Sequence, residues 1–457
     1  MTITTAMMLR QWYVERLYWL AESTVGPFKY YSVLDTAWCV LFGARIHFTA
    51  IFSPTPSLPD FDLLEVGKGC YTSALLSYNT RQVHHRRQTG APSTVTFGAI
   101  RLLPNSFVGP ESILLSGVTV ESDAAISERT LVAPHTTVET GTAMLGTRGK
   151  LIRYRPDRSR APAGGVLAYE VHMLLLMAVR IAWHLSFTLA APLAIWYEQA
   201  RATGLLDRGA DMGTFVMFST ITICTACVIQ PLFVQPLYAV CSVLFSRSLM
   251  GSLAQPGKAY GWHTREHSRW TSALALNTRT ATSLTMPMSR LWTGTSFPRT
   301  LFRLAGATVG RHSEVPGRDG LYPTQPETSL ITIGECFSTD GETGAYAHNF
   351  GKGYMEFPPL TIGAGVHLSH LALVNPGLHV PDGTHVGPAS SVSKLTQLDD
   401  SQCLTVQGNP PRRCQRTQSQ HYVHEGSNVR EWEDAAHWED AARSAQVLKH
   451  RVARFLV

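Results

Sequence analysis

Charge is scarce in this sequence. Lys, Arg, Asp and Glu make up 16% of its 457 residues, against roughly 25% in an average soluble protein. The formal net charge is +6, but the basic residues gather beside an apolar block. That placement points to a membrane surface. No aromatic-plus-basic RNA motif and no zinc-finger spacing occurs, so nucleic acid is not an expected partner. Cysteine is sparse as well. The eight cysteines form no close-spaced framework, which argues against a disulfide scaffold. Cys224 and Cys227 have CxxC spacing, yet they lie inside an apolar run and read as core or lipid-facing residues. The N-terminus lacks the unbroken apolar core of a signal peptide, because Glu15 and Arg16 interrupt it and no clear cleavage site follows. Trp12, Tyr13, Leu17, Trp19 and Leu20 leave two readings there. One is an interfacial amphipathic helix, the other a core-packing helix.

What is present is a period of six. From Ile362 every sixth residue is apolar: Ile362, Leu368, Val374, Val380, Val386 and Val392. This is neither the helical period of 3.6 nor plain alternation. It marks a parallel β-helix, in which each hexapeptide forms one flat side and its apolar residue stacks on the next coil. Gly363, Gly377, Gly387, Pro376, Asp382 and Gly383 fall near the corners, where turn residues are needed. The same period runs earlier through Leu102, Val108, Leu114, Val120, Ile126, Val132 and Val138. The two arrays are copies of one another. LFGARI (41–46) echoes RLAGATVG (303–310), and DLLEVGKG (62–69) echoes SLITIGEC (329–336). Asn79 to Thr94 is polar and basic and reads as a loop leaving the first coil.

An apolar block separates the copies. Arg148, Lys150, Arg153, Arg155, Arg158 and Arg160 precede it, and residues 166–197 are long enough to cross a bilayer. Arg180 and His184 lie four apart on one helix face, so they either serve a function or pack against another helix. Residues 212–245 carry no charged side chain. That run is long for one span and short for two, and Pro231 and Pro236 are placed to kink it. Basic residues follow at Arg247, Lys258, Arg265 and Arg269. Two basic outer flanks imply an even number of crossings, so a hairpin of two spans is favoured, with both coils in the cytoplasm.

The expected layout has six parts. Residues 1–40 form an amphipathic or helical segment, 41–147 the first β-helix, and 166–246 the transmembrane helices. Residues 247–300 form a juxtamembrane connector along the membrane surface, 301–395 the second β-helix, and 396–457 a polar tail with a C-terminal helix. Residues 396–428 read as disordered. WEDAA occurs at 432–436 and 438–442, but a shift of six does not keep one helix face. The fold class is therefore mainly β with membrane helices, two parallel hexapeptide β-helices flanking a transmembrane hairpin.

A coil implies no chemistry by itself; the polar groups that leave it do. Ile333, Thr339 and Ala345 continue the second coil, and YAHNFGKGYMEFPP (346–359) then departs from it. His348 opens this excursion, and a histidine there can act as general base toward a hydroxyl or amine. Tyr346 and Asn349 beside it, with Asn375 in the later NPG turn, are the substrate-binding candidates. Counting from Val66 as from Ile333, the first copy has Arg81 where the second has His348, and His84 and His85 follow out of phase. The first copy therefore reads as structural.

The run from His348 through Pro359, Thr361-Ile362-Gly363 and Asn375-Pro376-Gly377 resembles the hexapeptide-repeat O-acetyltransferases of the maltose, galactoside and chloramphenicol type. That resemblance, over about fifty residues, implies left-handed coils, His348 as the base that removes the acceptor proton, and trimers as one mode of assembly. The wider arrangement, with LFGARI, LAGATVG, TSLITIG and AHNFGKGYMEF across roughly residues 30–395, resembles the C-terminal region of non-ribosomal peptide synthetase-like proteins of the ε-poly-lysine synthetase type. It implies an acyl or aminoacyl thioester as donor, on CoA or a phosphopantetheinyl carrier protein, and no bound cofactor. The adenylation and carrier motifs that precede that region in the family are not found, so the chain is expected to be a stand-alone piece or part of a longer product.

The γ-type carbonic anhydrases, which share the coil, raise a metal reading. His367, His370, His379 and His385 decorate the coil, but the position five after His370 is Asn375, one ligand short of the three that catalytic zinc needs. No metal is expected. The leading expectation is a membrane-bound acyltransferase acting on an amine or hydroxyl, with membrane lipid as partner and the coils pairing within the chain or as a homotrimer. The alternative is a non-catalytic membrane-anchored scaffold.

Overall fold

The structure is a computed structural model. It describes residues 33–52, 60–73, 76–84, 94–146, 149–157, 163–187, 191–202, 230–284, 295–315, 325–340, 342–351 and 353–393, with shorter pieces at 12–18, 216–217, 219–221, 405–407 and 412–414 and single residues between. Cys224, Cys227, His85, Trp19, Arg148, Arg158, Arg160 and the WEDAA repeats lie outside the described residues. The chain divides into the units Met1–Arg413 and Cys414–Val457, and both coils belong to the first.

Both arrays form coils of short parallel strands arranged in three sheets. In the first coil, Arg45–Ile46, Leu64–Val66, Ile100–Leu102, Thr119–Val120 and Thr137–Val138 stack as one sheet. Tyr71–Thr72, Phe107–Val108, Ala125–Ile126 and Thr142–Leu145 form the second, and Ser77–Tyr78, Ile113–Leu114 and Leu131–Val132 the third. Val120 pairs with Leu102 below and Val138 above, so one turn of the coil takes three hexapeptides. All seven hexad residues from Leu102 to Val138 are at most 1% exposed. The second coil repeats this around Ile362, Leu368, Val374, Val380, Val386 and Val392, each likewise at most 1% exposed. Burying one β-branched or Leu side chain per hexapeptide contributes about 1.5–3 kcal/mol each, which is why so short a strand persists.

The corners explain the rest of the repeat. Asn105, Glu111, Gly117, Asp123, Arg129, His135 and Gly141 all have positive φ, again one per six residues. Left-handed backbone is easy for Gly, Asn and Asp and disfavoured for others, so Glu111, Arg129 and His135 hold it only because the sheets on either side fix it. Gly363 serves differently. Its φ is ordinary, but a Cβ there would sit 2.7 Å from the Asp382 backbone nitrogen of the next turn.

Among the described residues these helices have full bounds: α1 (Val33–Leu41), α2 (Val166–Leu185), α3 (Ala191–Ala202), α4 (Gln235–Met250), α5 (Arg265–Leu284) and α6 (Phe297–Leu304). Val166–Leu185 and Leu232–Met250 are long and apolar enough to cross a membrane. Leu167, Val171, Leu175 and Val179 form an exposed stripe at helical spacing on α2. Trp183 Nε1 donates to Ser242 Oγ at 3.1 Å, while His184 Nδ1 and Phe187 meet Tyr238. Contacts that climb α2 while descending α4 make the two helices antiparallel. His184 thus packs helix on helix. A π-helical stretch, Gln230–Val234, leads into α4 where Pro231 and Pro236 disturb the hydrogen-bond ladder.

Three segments differ from their sequence reading. The polar stretch after Asn79 is a hairpin, Arg81–His84 against Thr94–Phe97. In the tail, Thr405–Gln407 adds a parallel strand beside His385–Val386, because the last coil turn leaves an unpaired edge. Residues 250–284, read from the sequence as a polar connector, fold against the second coil. Ala259–Gly261 pairs with Tyr354–Glu356 as a third strand, and α5 buries Trp270, Ala273, Leu274, Ala275, Leu276 and Asn277. Its polar look comes from small Ser, Thr and Ala residues, which allow close packing.

Candidate active site

The excursion 346–359 is a hairpin, Asn349–Gly351 against Tyr354–Glu356, standing out from the second coil. His348 sits at its foot. Its Nδ1 lies 2.5 Å from Glu327 Oε1. Glu327 is fully buried, and its other carboxylate oxygen accepts a hydrogen bond from Trp270 Nε1 at 3.0 Å. Burial alone would raise this carboxyl, but the charge and hydrogen bond of His348, with the Trp270 bond, hold it below the usual carboxylate range. The carboxylate fixes the ring and assigns its proton to Nδ1, leaving Nε2 as the nitrogen able to accept one. A histidine backed by a buried carboxylate is the arrangement of a general base.

Aromatic rings enclose the imidazole. Trp270, Tyr346 and Phe350 have ring centroids 5.1, 5.5 and 4.8 Å from His348. Phe350 in turn meets Tyr71 of the first coil and Trp262. The Tyr346 phenol is pushed up by desolvation and by Glu111, against which Arg129 pulls it down. Tyr346 therefore lies between the His348–Glu327 pair and a corner-to-corner contact of the two coils. There Asn375 Nδ2 donates to Glu128 Oε1 at 2.5 Å, Arg129 donates to the Leu371 carbonyl, and Arg129 Nε pairs with Glu111 at 2.6 Å. Asn375 follows Val374, which pairs with Ala345, so it stacks one turn from Tyr346. Asn349 is engaged elsewhere: its amide donates to Glu356 Oε1 across the hairpin at 2.9 Å. Of the four residues singled out from the sequence, His348, Tyr346 and Asn375 gather here, while Asn349 braces the hairpin.

The first copy holds the same pair with different chemistry. Asp60 precedes a short 3-10 turn and then Leu64–Val66, as Glu327 precedes one and then Ile331–Ile333. Arg81 Nε lies 2.6 Å from Asp60 Oδ2 and its Nη2 lies 2.8 Å from Oδ1, across the same separation of 21 residues that joins His348 to Glu327. Arg81 also reaches Glu15 at 3.2 Å. Desolvation would lower the guanidinium, but Asp60 and Glu15 hold it more firmly protonated. A group locked in the charged state accepts no proton, so this corner ties Glu15, in the piece 12–18, to the coil. Arg81→Ala is expected to cost about 2 kcal/mol, read as a lowered thermal midpoint. Arg81→Lys will recover only part of it, because an ammonium cannot make the two parallel bonds.

Other groups near the site were not legible in the sequence. His263 and His267 pack against Tyr169, and His267 also against Trp262. Burial pushes them down to about 4 and about 3, with His263 adding to the effect on His267. Both bind a proton more readily unfolded than folded, so they weaken the fold as pH falls from about 6.5 toward those values. Replacing His267 with Gln is expected to flatten this part of the stability–pH curve, measured by denaturant midpoints between neutrality and pH 4. Along the coil, His367 and His385 stack 5.0 Å apart. Among the described residues no group of three or more His, Cys, Asp or Glu side chains converges as metal ligands would.

No protein-family model matches this chain, and no curated protein matches it. Among solved structures it is similar to the crystal structure of a maltose O-acetyltransferase from Clostridium difficile 630. The likeness has 19% sequence identity and a TM-score of 0.24, and it covers 37% of this chain and 96% of that one.

Proposed function

We propose that the second coil carries an acyltransferase site with His348 as general base. The observation that supports it is the buried Glu327 carboxylate, which orients His348 at the foot of the hairpin and leaves its Nε2 without a partner among the described residues. In this reading Nε2 takes the proton of an acceptor amine or hydroxyl as that group attacks a thioester carbonyl. The tetrahedral intermediate collapses, the C–S bond breaks, and the imidazolium returns its proton to the leaving thiolate. Backbone N–H groups of the neighbouring coil would carry the oxyanion. Tyr346 and Asn375, beside His348 at the contact of the two coils, meet the substrate.

The finer reading has left-handed coils that pair within one chain. The antiparallel α2 and α4 form a membrane hairpin that leaves both coils on the cytoplasmic side. The donor is a CoA or carrier-protein thioester of acyl or aminoacyl type, as the resemblance to peptide synthetase-like proteins implies. The test is thiol release by detergent-solubilised protein, supplied with a panel of acyl-CoA and aminoacyl-pantetheine donors and mixed amine and alcohol acceptors. Release that depends on His348 supports the reading, and equal release by His348→Ala removes His348 from it.

A further inference from the structure

The strand Lys150–Arg153 runs antiparallel to Thr142–Leu145 and is the last strand of its sheet. One of its edges therefore has no neighbour among the described residues. All four of its residues are exposed. Leu151 and Ile152 are 51% and 37% exposed between the charged Lys150 and Arg153, and an exposed Arg155 follows. These three cations differ from the other described arginines of the first coil. Arg45 and Arg101 meet Glu65, Arg81 meets Asp60 and Arg129 meets Glu111. Among the described residues no carboxylate pairs with Lys150, Arg153 or Arg155. Asp157, the acid beside them in sequence, accepts from Ser159 Oγ at 2.6 Å.

The strand ends beside α2. Tyr154 and Pro156, on either side of Arg155, share the wall of a cavity of about 120 Å³ with Ala163. A cavity that small brings its walls close together, so the chain returns on itself between them. Gly164 N then donates to the Trp262 carbonyl at 2.7 Å, and α2 starts at Val166. The exposed apolar stripe of α2 begins there with Leu167 and Val171. A cationic strand without acidic partners thus adjoins the first turn of a helix apolar enough to cross a membrane.

That neighbourhood selects the occupant. Each Lys or Arg held at an anionic bilayer surface gains a factor of about five in binding. Exposed apolar side chains among such cations suit the boundary between headgroups and acyl chains. An acidic protein would meet the charges but would not continue into hydrocarbon where the stripe of α2 begins. We propose that Lys150, Arg153 and Arg155 seat this strand on the anionic phospholipid headgroups of the bilayer that α2 enters, and so tie the first coil to the membrane surface. The proposal rests on the reading of α2 and α4 as a membrane hairpin.

The test reconstitutes the full chain into nanodiscs of phosphatidylcholine, alone or mixed with phosphatidylglycerol, and follows hydrogen exchange across residues 150–155. Phosphatidylglycerol is expected to slow exchange there by up to about 100-fold, and added salt to reverse the effect. Lys150→Gln with Arg153→Gln and Arg155→Gln should exchange alike in both discs. Arg153→Lys with Arg155→Lys should keep the protection, because the surface reads charge and not the guanidinium fork. Unchanged exchange in the strands Thr119–Val120 and Thr137–Val138 shows that each variant keeps its coil. Equal exchange of the wild type in the two discs overturns the proposal and leaves the cations as blockers of edge-to-edge pairing. Inorganic phosphate that gives the same protection in phosphatidylcholine discs overturns it in favour of a free-anion site. Protection that survives the triple substitution overturns it too. Failure of the hairpin reading shows separately, as chain that elutes apart from the discs, and sedimentation with vesicles then decides. Binding to phosphatidylglycerol but not phosphatidylcholine vesicles, lost in the triple variant, keeps the lipid contact without a spanning hairpin; no such binding removes both.

Discussion

Alanine at position 348 is expected to slow thiol release by about 100-fold or more, the range for loss of a general base. It should also lower the thermal midpoint, and the second effect comes from the partner. Glu327 is fully buried and its carboxyl is held charged by His348. Without the imidazole, the carboxylate keeps only the Trp270 bond, and an uncompensated buried charge costs about 3–5 kcal/mol. Adding Glu327→Gln to His348→Ala should therefore restore much of the stability and none of the activity. If His348→Ala melts like the wild type, the two side chains are not paired in solution; if it turns over like the wild type, the base lies elsewhere.

Glu327→Gln alone separates orientation from bulk. The amide oxygen can accept from Trp270 Nε1, but its NH2 then faces His348 Nδ1 and drives the imidazole proton onto Nε2, and it cannot neutralise an imidazolium. We expect an activity loss of about 100-fold or more, because a ring held in the wrong tautomer without charge stabilisation leaves most of the barrier in place. The acid limb of stability should change too. The Glu327 carboxyl is depressed in the folded state, so its contribution is fully present above the unfolded value of about 4.3. It is lost as pH falls through the folded value. The wild type should therefore lose stability below about pH 4.3 more steeply than Glu327→Gln, as measured by urea midpoints. Parallel acid limbs would mean that the carboxylate carries no proton-linked share of the stability.

The coils were legible because their inward residues recur at a fixed six, and one apolar side chain per hexapeptide is all that a three-sided coil needs. His348 was legible for the same reason: phase counting shows where the chain leaves the coil. Glu327 was missed, although a signal existed. It stands six residues before Ile333, as Asp60 stands six before Val66, so an acid occupies the phase that elsewhere holds an apolar residue. An acid at that phase in both copies marks a buried partner, and the 21-residue step to Arg81 and to His348 identifies it. Trp270, His263 and His267 left no comparable trace. Helix α5 is buried through small side chains, without an apolar stripe, and its neighbours α2 and the hairpin are remote in sequence. The tail strand Thr405–Gln407 was hidden because its partner is an edge that exists only once the coil has formed.

Helix α5 grips two things at once. Trp270 holds the Glu327 carboxylate, while Ser268 and Ser272 on the same helix meet His172 and Met173 of α2. It links a helix apolar enough to cross a membrane to the His348–Glu327 pair. With α2 seated in a bilayer, hydrocarbon thickness sets the height and tilt of that helix, and a displacement of a fraction of an ångström is enough to matter to a base. The lipid would then act as a mechanical load on the chemistry, and acyl-chain length in a reconstituted membrane becomes a control knob for turnover.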